Sequence, residues 1–447
     1  MPTALPEAVR KAAFALAAST VLLTTACTGQ SGAGASDDPS KDTTITFWHA
    51  WSAPNEVQAV KALVAGFEHA HPNIRVNVVG NMTDDKINQA LRAGGDKAPD
   101  VISSFTTNNV GKFCSSGALV DLNPFFEKAG IDPGTTFPKA MNEYTQFDGD
   151  RCTAPLLGDA YGLYYNKTAF RKAGIAHPPK TWSEFEADAK KLTIARGDTY
   201  RQLGFMPDYH GWESTTEHYL GQFSPTYFGK DGTSELAKDP AFAKGFRLQK
   251  RLVDELGGYE KLEKYRATLG DEWGAKHPFH TGQVAMQLDG EWRLGMAEET
   301  KPDFGIGVAP LPVPDDQADQ YGKGYITGTI TGIAATSHKQ NAAWEFVRYI
   351  TTDTDAVVGF ANAIHNVPST LAALKSPKLT YDPRFKTFLD IAADPNSTTS
   401  PASVNGGVYL TTIQQFGYDY ESGEVTDLKA GLKKTAAQID TDIEQAK

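Results

Sequence analysis

The run Thr44–Trp48 (TITFW), a helical pattern opening at Pro54 and the run Ile74–Val79 (IRVNVV) follow one another within about 35 residues. β-branched and aromatic residues crowd both runs. Between them Val57, Val60, Val64 and Phe67 recur at helical spacing, and Pro72 closes the segment. A strand, a helix and a strand in so short a space close as a right-handed crossover, which sets the two strands parallel. Asp84–Ala93 reads as a further helix, and Pro99-Asp100-Val101-Ile102 starts a third strand. The chain therefore begins as an α/β fold, in which ligands bind beyond the carboxyl ends of the strands.

A length of 447 residues exceeds one compact core, so two domains are expected. Hydrophobic content of 40% and charged content of 22% fit an ordered globular protein. The net charge of −11 argues against nucleic acid or an anionic membrane surface as a partner, because both select basic patches.

Residues 1–26 read as an export signal: Arg10 and Lys11 precede an apolar stretch, Ala12–Leu23, too short to span a bilayer. Thr24-Thr25-Ala26-Cys27 resembles a bacterial lipoprotein processing site, with Leu23 one position further from the Cys than the usual pattern. Lipidation of Cys27 is the expectation, and plain secretion or an uncleaved anchor the alternative. Thr28–Asp42 is a polar, Gly/Ser-rich tether, roughly 20 Å in root-mean-square span. In an oxidising compartment Cys114 and Cys152 form an even pair, either bridged or left as two buried thiols.

Further along, Asn142–Phe147 and Thr153–Leu157 flank Asp148-Gly149-Asp150, a turn signal that predicts a hairpin. Gly162–Asn166 (GLYYN) reads as a short strand. Thr181-Trp182-Ser183-Glu184 is a capping box that starts a helix through Leu192, Gly204–Met206 reads as a brief strand, and Pro207–Trp212 as an aromatic loop. In Phe279–Trp292 (FHTGQVAMQLDGEW) the shared parity of Val284, Met286 and Leu288 predicts a strand with one buried face. Gly290 permits a turn that sets Asp289 and Trp292 side by side at the strand's end. A carboxylate takes hydroxyl donors and an indole offers a flat apolar face, a combination that suits one wall of a carbohydrate cleft.

Catalytic signatures are scarce. The chain has no GxSxG elbow, no GxxxxGK[ST] loop and no HExxH, and its ten histidines lack ligand spacing, so neither cofactor nor metal is expected. Asp289 and Glu291 also admit reading as a glycosidase pair, which keeps a secreted hydrolase as the rival class.

GLYYNKTAFRKAGI followed by PPKTWSEFEADAKKL resembles the extracellular solute-binding proteins of sugar ABC transporters, the group that includes maltose-binding protein. ITFWHAW, APDVISSF, FHTGQVAMQLDGEW, GIGVAPLPVP and GTITGIAATSHKQNAAWEFVRYI follow in the family's order, so the resemblance covers nearly the whole chain after the tether. It implies a two-lobed type II binding-protein fold with discontinuous α/β lobes, a hinge and a ligand cleft between them. Residues 43–160 with about 325–370 would form one lobe, and 161–324 with about 371–447 the other. It implies no enzyme activity. The expected role is a monomer that delivers a mono- or oligosaccharide to the membrane permease subunits of an importer; a non-sugar solute is the alternative. Carried over by matched segment, the ligand-binding set is His49, Trp51, Ser52, Ser104, Phe105, Asp159, Tyr161, His210, Trp212, Asp289, Trp292, Gly328, Asn366 and Tyr409.

Overall fold

The structure, a computed structural model, describes residues 37–95, 98–207 and 215–447. Cys27, His210 and Trp212 lie outside the described residues. Ten strands are described: β1 Thr43–Trp48, β2 Ile74–Val79, β3 Val101–Ser104, β4 Ala154–Asn166, β5 Ile194–Arg196, β6 Thr199–Phe205, β7 Val284–Gly290, β8 Ile306–Ala309, β9 Ile326–Ile333 and β10 Val367–Pro368. They form one mixed sheet in the order β2-β1-β3-β9-β4-β7-β6-β5, with β8 and β10 also pairing with β4.

The opening crossover forms as its sequence requires. β1 pairs in parallel with β2, and the helix α1, Pro54–Ala70, buries Val60, Val64 and Phe67 between them and the core. β3 joins the other side of β1, also in parallel. The helix α2, Asp84–Ala93, is capped by Thr83, whose side chain accepts from the Lys86 amide.

β4 is the axis of the molecule. Through Ala160 it pairs with β9, and from Tyr161 onward it pairs with β7 and β8, all antiparallel. Two apolar clusters lie on either side of that change, and a third, which holds both Ala160 and Tyr164, spans it. Ile45, Phe47, Phe67, Leu156 and Phe346 pack in one cluster, and Leu163, Phe185, Leu203, Met286 and Leu288 in another.

Four expectations need correction. Asn142–Tyr144 belongs to the helical turn Lys139–Tyr144 rather than a strand, because Ala140, Met141 and Tyr144 bury one helical face. The turn at Asp148–Gly149 stands, closed by a Phe147–Asp150 bridge. GLYYN is the second half of β4, since nothing breaks the extended backbone between Leu157 and Gly162. β7 is buried on both faces, not one: Val284, Met286 and Leu288 on one side and Ala285, Gln287 and Asp289 on the other are all covered, with the helix Trp182–Leu192 packed against the strand. The flexible tether ends earlier than Asp42. The Asp37 carboxylate accepts from the Asn341 and Ala342 amides at 2.9 Å, capping the helix Gln340–Thr352, and Asn73 holds the Lys41 carbonyl. The Sγ atoms of Cys114 and Cys152 face one another at bonding distance, with Cα atoms 5.3 Å apart.

Candidate functional site

The middle of β4, the residue before β10 and the turn after β7 meet at the candidate site. On β4 the partner change falls between Asp159 and Tyr161. Val367 of β10 pairs with Gly158, which sets Asn366 beside Asp159. Tyr161 pairs with Gly290, the last residue of β7, which brings Glu291 against Ala160.

A polar cluster results. The Asn366 Nδ2 donates to Asp159 Oδ1 and to Glu291 Oε1, 2.8 Å in each case. The Ala160 amide donates to the other Glu291 oxygen at 2.9 Å. Glu291 is fully buried, whereas Asp159 and Asn366 keep partial access to solvent. Burial raises Asp159 to about 7, with the Asn366 hydrogen bond pulling the other way. Burial and then the Asp159 charge raise Glu291 as well. Among the described residues no cation pairs with either carboxylate. The cluster thus offers an acceptor, Asp159, whose ionised form gains from any hydroxyl donor placed on it.

Aromatic rings flank the cluster. Trp292 is half-buried and meets the Tyr161 ring edge-to-face at 5.6 Å. Its indole folds back over Gly290: a Cβ there would lie 2.2 Å from Trp292 Cη2, so only glycine fits. The residue was expected for a turn, and the close approach of the ring is the stronger reason. Tyr161 is itself buried: its ring lies tilted against His218, centroids 3.8 Å apart, and its hydroxyl faces Thr327 Oγ1 at 3.5 Å. After β1, Trp51 packs edge-on against Phe105, which follows β3, at 5.4 Å. Trp51 is almost wholly buried, but Phe105 is 47% exposed, an unusual state for a phenyl ring.

Several expected contacts lie elsewhere. Asp289 is fully buried and bound to Arg293 at 2.6 Å, so it offers no acceptor to a solute and cannot act with Glu291 as a glycosidase pair. Tyr409 is interior: it packs on Tyr227 and Phe228, and its hydroxyl donates to the Pro401 carbonyl at 2.7 Å. Gly328 is required by packing, because a Cβ would meet the Leu157 carbonyl oxygen at 2.3 Å. His49 is buried between Phe47 and Trp51, and burial lowers it to about 4, so it stays neutral. The Ser104 hydroxyl donates to Asp84 at 2.7 Å and accepts from the Thr106 amide. Ser52 is exposed, and its amide donates to Glu56. Glu291 was missed as a member of this cluster because its neighbour Asp289 has the same chemistry and lies in the same turn; the strand register tells them apart.

The family described as bacterial extracellular solute-binding protein matches residues 53–357. A maltotriose-binding protein of Pyrococcus abyssi is 23% identical over 342 residues, covering 76% of this chain and 69% of that one. The sn-glycerol-3-phosphate-binding periplasmic protein UgpB of Rhizobium meliloti is 26% identical over 292 residues, covering 60% and 62%. The solved structure of CpMnBP1 with mannotriose bound superposes with a TM-score of 0.73 at 23% identity, covering 89% of this chain and 99% of that one. The fold is the two-lobed α/β arrangement with a hinge and a cleft between the lobes. The chain belongs to the bacterial extracellular solute-binding protein family.

Proposed function

We propose that this protein binds a saccharide in the cleft between its lobes, outside the cell, and delivers it to the permease subunits of an ABC importer. The observation that carries the reading is the placement of Trp292 and Tyr161 beside the Asp159–Asn366–Glu291 cluster. An indole face covers the C–H patches of a pyranose, and a carboxylate with a neighbouring amide takes its hydroxyls. The lobes would comprise 43–160 with about 325–370 and 161–324 with about 371–447, the boundary falling where β4 changes partners. A solute touching both halves is engaged fully only when they close, which favours the closed form.

The glycerol phosphate-binding relative supports a second reading, a phosphorylated solute. Two unpaired acidic groups in the cluster speak against it, since a phosphate needs cations or convergent amides. Calorimetry decides between them. Micromolar or tighter binding of glucose- or mannose-based oligosaccharides supports the proposal, while binding of glycerol 3-phosphate alone overturns it.

Residues 1–26 would be removed on export, Cys27 lipidated to hold the chain at the outer face of the membrane, and Cys114–Cys152 oxidised to a disulfide. Palmitate labelling lost in Cys27→Ser tests the anchor.

A further inference from the structure

The cations that a phosphate needs are missing from the Asp159 cluster, but they converge elsewhere. A cavity of about 370 Å³ opens at the far end of β4, where the strand runs into the helix Lys167–Lys172. Asn166, Lys172, Lys191, Arg201 and Asp303 line it. They come from separate segments: the end of β4, the helix that follows, the last turn of the helix Trp182–Leu192, the strand β6 and the loop before β8. Asp159 lies seven positions earlier on β4, about 23 Å away at the rise of a strand, so this cavity is not part of the cluster.

Two features set it apart from an ordinary basic surface. Among the described residues Lys172, Lys191 and Arg201 form no ion pair, although Lys190, beside one of them, is bound to Glu255 at 3.0 Å. Lysines are common in the last turn of a helix, where they face its negative end, and that accounts for Lys172 and Lys191 singly. It does not account for Arg201, which stands on a strand, or for the meeting of all three at one concavity. The second feature is Asn166, which is only 6% exposed. Its Oδ1 accepts from the Thr168 and Ala169 amides, 2.9 Å in each case, which fixes the side chain. Its Nδ2 has no acceptor among the described residues and is the end left to face the cavity. A fixed neutral donor among three cations suits an oxyanion, whose several oxygens accept from all of them. Three positive charges against Asp303 leave an excess of two, which matches a dianion.

We propose that this cavity is a second binding site, for phosphate or a phosphate monoester. Asn166 is its fixed donor, and Lys172, Lys191 and Arg201 are its charged ones. The proposal is independent of the saccharide reading. A free ester and a lipid headgroup offer the same phosphate chemistry, and the test separates them.

Calorimetry of the full exported chain with inorganic phosphate at physiological salt should give a dissociation constant below about 1 mM. Arg201→Gln and Lys172→Gln should each weaken binding by about tenfold or more. Lys190→Gln, outside the cavity, should leave it within about twofold. Asn166→Asp keeps the oxygen that caps the helix and replaces the donor with an acceptor. It should abolish phosphate binding while the melting temperature holds. Flotation of the Cys27→Ser chain, which carries no lipid of its own, with phosphatidylglycerol vesicles supplies the other arm, phosphatidylcholine being the control. Phosphate binding that is lost in Arg201→Gln supports the site and identifies a free ester. Phosphatidylglycerol binding lost in the same variant, with no response to phosphate, supports it and identifies a headgroup. Absence of both overturns the proposal, as do equal losses in Lys190→Gln and Arg201→Gln or unaltered binding in Asn166→Asp. Sugar binding should be unchanged in Arg201→Gln, so the saccharide reading stands or falls separately.

Discussion

Asp159 and Glu291 meet through one amide: the Asn366 Nδ2 lies 2.8 Å from an oxygen of each. The two carboxylates come from β4 and from the turn after β7, so their approach is a product of sheet register. Two acids held this close and this dry do not both ionise readily, and burial has raised them both.

Stability of the empty protein should therefore fall as pH rises. Unfolded carboxylates titrate near about 4, whereas folded Asp159 titrates near 7. Between those values the folded chain keeps a proton that the unfolded chain has lost, so the stabilisation is present below the window and lost above it. Asp159→Asn removes the effect. Its melting temperature should exceed that of the wild type at pH 8 and converge on it near pH 5. Thermal melts across that range check this, and a constant difference would refute it.

Saccharide affinity should run the other way. Hydroxyl donors bind the ionised form of Asp159 better, so wild-type affinity should rise between pH 5 and pH 8 and binding near pH 7 should release protons. Calorimetry in buffers of different ionisation enthalpy reads the proton directly. Asp159→Asn should bind more weakly and show a flat profile.

Aromatic contact should separate cleft from interior. Trp292→Ala should weaken sugar binding by more than about 1 kcal/mol. Tyr409→Phe should leave binding alone and cost about 1 kcal/mol of stability through the lost hydrogen bond to Pro401. Paired calorimetry and denaturant melts distinguish the two outcomes.

Gly328→Ala should destabilise by about 1–3 kcal/mol, because its methyl group would press on the Leu157 carbonyl at 2.3 Å. Cys152→Ser should cost up to about 4 kcal/mol, the entropy of a loop that joins residues 38 apart. Adding reductant should match the Cys152→Ser loss in the wild type and change nothing in the variant.

Local periodicity carried most of the fold. β1, α1, β2 and α2 fall where Thr44–Trp48, Val57–Phe67, Ile74–Val79 and Asp84–Ala93 place them, since each signal is short-range. Thr181 caps the helix Trp182–Leu192, accepting from the Glu184 amide. Asn142–Tyr144 failed because one helical turn and a short strand expose the same few residues to inspection. The candidate site was legible by segment and not by residue. DGEW is the turn that joins the polar cluster, but Asp289 faces inward to Arg293 and Glu291 faces Asn366, and that choice depends on how β7 sits against β4.

The change of partners along β4 has a mechanical consequence. One continuous strand serves both halves of the molecule, and the residues on either side of its crossing, Asp159 and Tyr161, are those that would touch the solute. A hinge at this crossing would make the pivot and the grip the same few peptide units, recognition would need no relay to reach the joint, and a substitution that stiffens this strand would retune the resting angle and the affinity together.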